Sequence, residues 1–337
     1  MYRYLKTSQV GSSIWVEIYN PPVNFLTTEI TEELFNLIKD VEKDTSIRVF
    51  ILTGGVEDNY IMHFSIPELA KISPGNEKLK MNKVIKYRLG SFILKYLTTF
   101  NNALMDLSPW YEEFSLTQAK RLAAYSSSLF LWLQMHRLYL AIERMNKVTI
   151  AAINGPCNGG GTEISACFDF RFMIGDQEFT IGQPECLIGI IPGGGNTQRL
   201  PRLIGRVAAL ELMLKGNQLS PEEAKRLGLI TNTFKKKDFQ KKVQEFADLM
   251  SKRPPVAIDA IKKSVNYGMD TTLRHGLSIE MEQSIRCFDT EDTKKAMKEY
   301  IKIIQDKIDV PQERRASQKE ILDILENAKL VEKFNGR

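Results

Sequence analysis

The chain has little of what would announce several common chemistries. It carries four cysteines, three histidines and three tryptophans in 337 residues. Cys157, Cys167, Cys186 and Cys287 form no Cys-x-x-Cys pair. They predict reduced, mostly buried thiols in a reducing compartment rather than a disulfide framework. His63, His136 and His275 stand far apart and have no ligand spacing with the cysteines, which argues against a zinc site. Long apolar runs are missing too. The longest, about Leu129 to Leu133, is far short of the ~20 residues of a membrane span. The opening MYRYLKTSQV lacks the apolar core of a signal peptide, and the closing Asn335-Gly336-Arg337 is no peroxisomal address. These absences predict a soluble cytoplasmic protein with no membrane partner. Net charge is +5 with no long basic run, so nucleic acid is not an expected partner.

Apolar residues make up 43% of the chain, enough for a sizeable core. The length allows two domains of ~100–200 residues or one large α/β domain with additions. Glycine is distributed unevenly. Of 21, ten lie between Gly155 and Gly195, whereas residues 77–154 hold only Gly90 and Pro109 as breakers. One stretch suits turns and close backbone approach, and its neighbour suits uninterrupted helix.

Residues 13–19 (SIWVEIY) and 48–53 (RVFILT) read as strands. Between them Ile30, Leu34, Leu37, Ile38 and Val41 recur at helical spacing, with Thr28 or Thr31 as the expected cap. Strand, helix, strand implies a layered α/β fold. Helical faces then follow through about 72–138, with a break near Ser108-Pro109, before VTIAAI (148–153) returns to strand. The glycine-rich region predicts a helix from about Gly160 to Cys167, a strand at Phe170–Ile174 and a helix from about Gly194 to Leu203. Helices near 206–215, 221–227, 238–252 and 256–267 come next. The last 48 residues hold 21 charges, yet Met297, Ile301, Ile304 and Ile308, then Ile321, Leu325 and Ala328, keep apolar faces. Such helices dock on their own core or on a partner subunit.

The glycines fit none of the common nucleotide or hydrolase loops. Neither cluster is followed by the Lys-Ser/Thr of a phosphate-binding loop. The dinucleotide spacing fails, because the sixth position is Ile164 from Gly159 and Gln198 from Gly193. No Gly-x-Ser-x-Gly elbow exists. What remains is Gly159-Gly160-Gly161-Thr162-Glu163 at a helix start, where free N–H groups suit a developing oxyanion. Glu185, in Gly182-Gln183-Pro184-Glu185, is a second acid on a glycine-rich turn. Two such acids are the ingredients of general acid/base chemistry. Equally, Glu163 is placed to satisfy helix N–H groups and Glu185 to be a surface carboxylate. Lys235–Lys237 with Lys241 and Lys242 read as a solvated face, and Trp132 and Tyr139 as core or interface.

The stretches VTIAAINGPCNGGGTE, FTIGQPECLIGIIPGGGNTQRLPRLIG and SPEEAKRLGLI together resemble the crotonase (enoyl-CoA hydratase/isomerase) superfamily, densely over 148–230 and more weakly over 13–70 and 238–305. The resemblance implies a crotonase-like ββα spiral core over 1–215, a helical insertion at about 72–138, and a C-terminal helical oligomerisation region with a charged extension over 216–337. It implies an acyl-CoA substrate, no cofactor beyond that coenzyme A thioester, and a homo-oligomer, trimer or hexamer. Its oxyanion hole would use the N–H groups of Gly160 and Phe64. The loop carrying Phe64 departs from the family pattern, with His63 in place of a glycine and Ser65 in place of an acid. Substrate contacts would fall at Val23, Met62, His63, Phe64, Ile66 and Gly160. Both family glutamate positions are filled, by Glu163 and Glu185, which implies an enoyl-CoA hydratase. The alternatives are an enoyl-CoA isomerase, another acyl-CoA activity of the superfamily, or a non-catalytic acyl-CoA-binding member.

Overall fold

A sheet with apolar residues on both of its faces must be covered twice, and the rest of the fold follows from that. The computed structural model of the chain describes residues 2–72, 127–308 and 318–336. Most of the expected helical insertion, including the break near Ser108-Pro109, lies outside the described residues.

Strand β1 (Leu5–Val10) runs antiparallel to β2 (Ser13–Ile18). Strands β3 (Val49–Gly54), β4 (Val148–Ile153), β6 (Phe170–Ile174) and β9 (Asn232–Phe234) extend the sheet in parallel, in the order β1-β2-β3-β4-β6-β9. Three two-residue strands, β5 (Cys157–Asn158), β7 (Ile181–Gly182) and β8 (Gln218–Leu219), pair as a second, small sheet. Side chains alternate across each strand. Ile14, Val16, Ile18, Phe50, Leu52, Ala151 and Ile153 face α1 (Thr28–Lys43) and the helix Ser127–Arg144. Trp15, Val49, Ile51, Val148, Ile150, Phe172 and Ile174 face Phe239, Val243 and Ala247 of the helix Phe239–Ser251.

Between these come α2 (Ile66–Ile72), α3 (that same Ser127–Arg144) and α4 (Gly160–Ser165). Next are α5 (Asn196–Ile204), α6 (Arg206–Lys215), α7 (Pro221–Arg226) and α8 (the Phe239–Ser251 helix). Helices α9 (Pro255–Met269) and α10 (Leu273–Phe288) form a hairpin in which Gly268 and Gly276 approach closely, and α11 (Glu291–Ile308) and α12 (Gln318–Glu326) end the chain.

The expected elements over 13–19, 48–53, 148–153, 170–174 and 206–267 lie within two residues of those found. Two details differ. The cap of α1 is Thr27, whose hydroxyl accepts from the Ile30 N–H, rather than Thr28 or Thr31. Strand β1 was not legible, because LKTSQV buries only Leu5 and so shows no alternation.

The charged end docks on its own chain. Arg253 donates to the carbonyl of Leu325 at 2.6 Å, and Arg48 to that of Phe334 at 2.6 Å. Asp292, 4% exposed, accepts from the N–H groups of Asn335 and Gly336 at 2.9 and 2.6 Å. Truncating that carboxylate leaves two amides without their acceptor, at a cost of about 2 kcal/mol. Asp292→Ala is therefore expected to lower the denaturant midpoint and to open residues 331–336 to proteolysis, both measurable against the wild-type chain.

Candidate active site

Backbone pairing brings two distant turns together. The Asn158 N–H donates to the Met62 carbonyl at 3.0 Å, and Ile61 bridges Cys157, so the loop after β3 lies along β5. On the other side of that loop Leu26 takes both neighbouring amide links, donating to the His63 carbonyl at 2.9 Å and accepting from the Ser65 N–H at 2.8 Å. The Phe64 N–H, between them, is thereby turned toward α4. A Cβ built on Gly160 would sit 3.0 Å from the Phe64 nitrogen, and one on Gly161 would strike the Ile61 carbonyl at 2.1 Å. Only glycine allows this approach. Thr162 fixes the turn from below, donating to the Gly182 carbonyl at 2.7 Å.

Glu163, on α4, is 3% exposed. Its carboxylate accepts backbone N–H groups from Gly194 and Asn196. Burial, and then the Glu185 charge, nevertheless push its pKa up from 4.5 to about 8. Glu185 begins a short 3-10 turn, Glu185–Ile188. Its Oε1 accepts from the Gln183 amide at 2.7 Å, and the Gln183 carbonyl oxygen accepts from the Asn196 side chain at 2.8 Å. Burial raises the Glu185 pKa as well. Glu163 Oε1, Glu185 Oε2 and the Tyr139 hydroxyl are buried and have no partner among the described residues. Unsatisfied buried polar atoms on two facing acids mark room for a polar guest.

Of the residues singled out in the sequence, Glu163, Glu185, Gly160, Phe64 and His63 come together. A Cβ on Gly159 would lie 2.9 Å from Glu185 Oε1 and 3.4 Å from the His63 Cβ. His63 stacks on Phe25 with ring centroids 4.6 Å apart, and its Nδ1 lies 2.7 Å from the Phe64 carbonyl oxygen. Met62 borders the group, with its sulfur 3.9 Å from the Asn158 amide. Ile66, 41% exposed, opens α2 on the outer side. Val23 sits in the preceding turn, and it is Phe25, two residues on, that meets His63.

Sequence reasoning passed over Gln183, Asn196, Tyr139, Glu143 and Arg199. Gln183 and Asn196 had a signal, being polar residues inside the glycine-rich region. Tyr139 and Glu143 had none, because their neighbours in space are 55 or so residues away. Among the described residues no cluster of His, Cys, Asp and Glu is placed to hold a metal ion, and no helix is long and apolar enough to cross a membrane.

Comparisons with known proteins show the family. The enoyl-CoA hydratase/isomerase family model matches residues 116–307. Crotonyl-CoA hydratase of Syntrophomonas wolfei is 36% identical over 165 residues, which is 49% of this chain and 63% of that protein. The short-chain-enoyl-CoA hydratase of Clostridium acetobutylicum is 27% identical over 279 residues, 83% of this chain and 87% of that one. The crystal structure of enoyl-CoA hydratase from Bacillus anthracis has the same fold, with a TM-score of 0.68 at 24% identity, over 89% of this chain and 96% of that one. With a matched segment that spans more than half of its length, a spiral α/β core and a helical C-terminal region, this chain belongs to the enoyl-CoA hydratase/isomerase family of the crotonase superfamily.

Proposed function

We propose that the protein is an enoyl-CoA hydratase, adding water across the 2,3-double bond of an enoyl-CoA thioester. The observation that carries this reading is the pair of buried carboxylates, Glu163 and Glu185, each with an unpartnered oxygen, beside the Gly160 and Phe64 amides. Those two N–H groups are the donors for the thioester oxygen, which becomes an enolate oxygen as the reaction proceeds. Glu163 takes a proton from water while the water oxygen bonds to the β-carbon. The electrons of the double bond move to the thioester, and Glu185 gives its proton to the α-carbon. Glu163 then holds a proton and Glu185 does not, so a proton passed between them resets the site. Two acids this close share one proton in the resting state. Met62, His63 and Ile66 line the approach of the acyl-CoA, with Val23 in the adjoining turn. No cofactor beyond the coenzyme A of the substrate enters the reaction.

We further read residues 216–337 as the assembling part of a homo-oligomer, a trimer or hexamer. Along α10, Leu273, Leu277, Met281, Ile285 and Phe288 form one stripe, each 53 to 79% exposed. A single apolar stripe of this length on a charged helix suits burial against another copy.

Three outcomes test these readings. With crotonyl-CoA, loss of the conjugated thioester absorbance is expected in the wild type. Glu163→Gln and Glu185→Gln should each slow it by a factor on the order of 10²–10⁴. Turnover unchanged in both variants removes the assignment. The pH profile gives the sign of the roles. Glu163 keeps its proton up to about pH 8, so a general base there makes kcat/KM fall as the pH drops below about 8. An alkaline limb near that pH, with no acidic one, exchanges the roles of the two glutamates. Finally, Leu277→Glu with Met281→Glu is expected to convert the oligomer into monomers by light scattering. A wild-type chain that is already monomeric at micromolar concentration overturns the assembly reading.

A further inference from the structure

The Gly193–Asn196 loop lies between an acid, Glu163, and a cation, Arg199. On one side it presents the Gly194 and Asn196 N–H groups to Glu163. A Cβ on Gly194 would stand 2.8 Å from Glu163 Oε2 and 2.6 Å from the Tyr139 ring. On the other side is Arg199. A Cβ on Gly195, whose φ is +111°, would lie 2.1 Å from Arg199 Nη1. That nitrogen donates to the Gly194 carbonyl at 2.9 Å. The guanidinium is itself anchored on α3, donating from Nε and Nη2 to the two oxygens of Glu143 at 2.5 and 2.9 Å. Both side chains are mostly buried, Arg199 16% and Glu143 25% exposed. His136, two turns before Glu143 on α3, holds the Gly193 carbonyl oxygen at 2.9 Å from its Nε2.

We infer that the Glu143–Arg199 ion pair is a positioning device for Glu163: it pins the Gly194 peptide so that the Gly194 and Asn196 amides stay on the Glu163 carboxylate and set the proton affinity of that group. A bidentate guanidinium–carboxylate pair fixes direction as well as distance, which a lysine cannot do. Arg199 holds the carbonyl of the peptide that joins Gly194 to Gly195. That peptide lies between the two whose N–H groups, those of Gly194 and Asn196, favour the ionised Glu163. The positive charge of Arg199 also favours the ionised form of Glu163 directly. Both effects have one sign. Removing Arg199 loosens the donors and withdraws the cation, so Glu163 holds its proton to higher pH.

This inference rests on Glu163 being the acid/base group, and its test separates the two ideas. Arg199→Met removes the device, and Arg199→Lys keeps the charge but loses the fork. In each folded variant, as judged by circular dichroism and light scattering, the limb of the crotonyl-CoA kcat/KM–pH profile that belongs to Glu163 is expected to move up by about one pH unit or more. The shift should be smaller in Arg199→Lys, and the activity deficit at pH 7 should shrink at higher pH. A uniform loss of kcat at every pH, with the limb unmoved, means a merely structural ion pair and overturns the inference. Glu163 is also titrated directly, from the carboxylic C=O infrared band that Glu163→Gln abolishes. That band reads the device even in a chain that fails to hydrate crotonyl-CoA. A titration midpoint equal in wild type and Arg199→Met overturns the inference whether or not the hydratase reading stands.

Discussion

Burying a carboxylate without a counter-ion at hydrogen-bond distance is the constraint on which the rest of this site depends. Water is a better solvent for charge than any protein interior, so Glu163 at 3% exposure keeps its proton unless other groups replace the lost hydration. The replacement is peptide and only partial: backbone N–H groups from one loop favour the charged form, and the pKa still stands at about 8. Peptides reach a carboxylate that closely only where no Cβ intervenes, which is why a glycine stands at 194. A glycine-rich loop is soft, and α3 stiffens it from outside by holding it through Glu143, Arg199 and His136. The length of a helix with few breakers thus becomes the rigidity of a proton site.

The sheet supplies the other half of the geometry. Because β3 and β4 are buried on both faces, their register is fixed by packing on two sides. The loops leaving their C-terminal ends therefore start from determined positions. One carries Phe64 and the other leads through β5 to Gly160. Ligands in parallel α/β sheets gather where such ends open. The small sheet adds a clamp: β7 pairs with β5, and the Gly159 N–H donates to the Gly182 carbonyl. Glu185, three residues after Gly182, is delivered to Glu163 by that pairing.

Local sequence carried the elements and marked Glu163 and Glu185 as candidates, because turns and helix starts depend on neighbours in the chain. Strands such as VTIAAI, the capped helices and the glycine clusters are governed by propensities that act over a few residues. The family resemblance added the partnership of Gly160 with Phe64, which no local pattern gives. The loop around Phe64 also tolerates its unusual neighbours, since His63 is taken up by stacking on Phe25 and does not displace the amide. What stayed hidden were links between elements far apart in the chain. Glu143 meets Arg199 across 56 positions and four strands, and nothing near either residue specifies the other. Tyr139 reads as core or interface, and only its place against Gly194 puts it beside Glu163.

The two glutamates differ in how they are held, and that difference is chemical. Glu163 is bound by peptides, which neither rotate nor exchange donor for acceptor. Glu185 is bound by the Gln183 side chain, which is held in turn by the Asn196 side chain. Asn196 therefore touches both arms, through its N–H on Glu163 and its amide on Gln183. A displacement of this residue alters both carboxylates at once. The proton affinities of both are then set by one loop rather than by two independent environments. A rigid acceptor beside a more adjustable one suits a reaction in which one acid activates a water held in place and the other follows a carbon as it changes geometry. The half-exposed turn of Glu185–Ile188 gives the second acid that freedom, while α4, fully buried, denies it to the first.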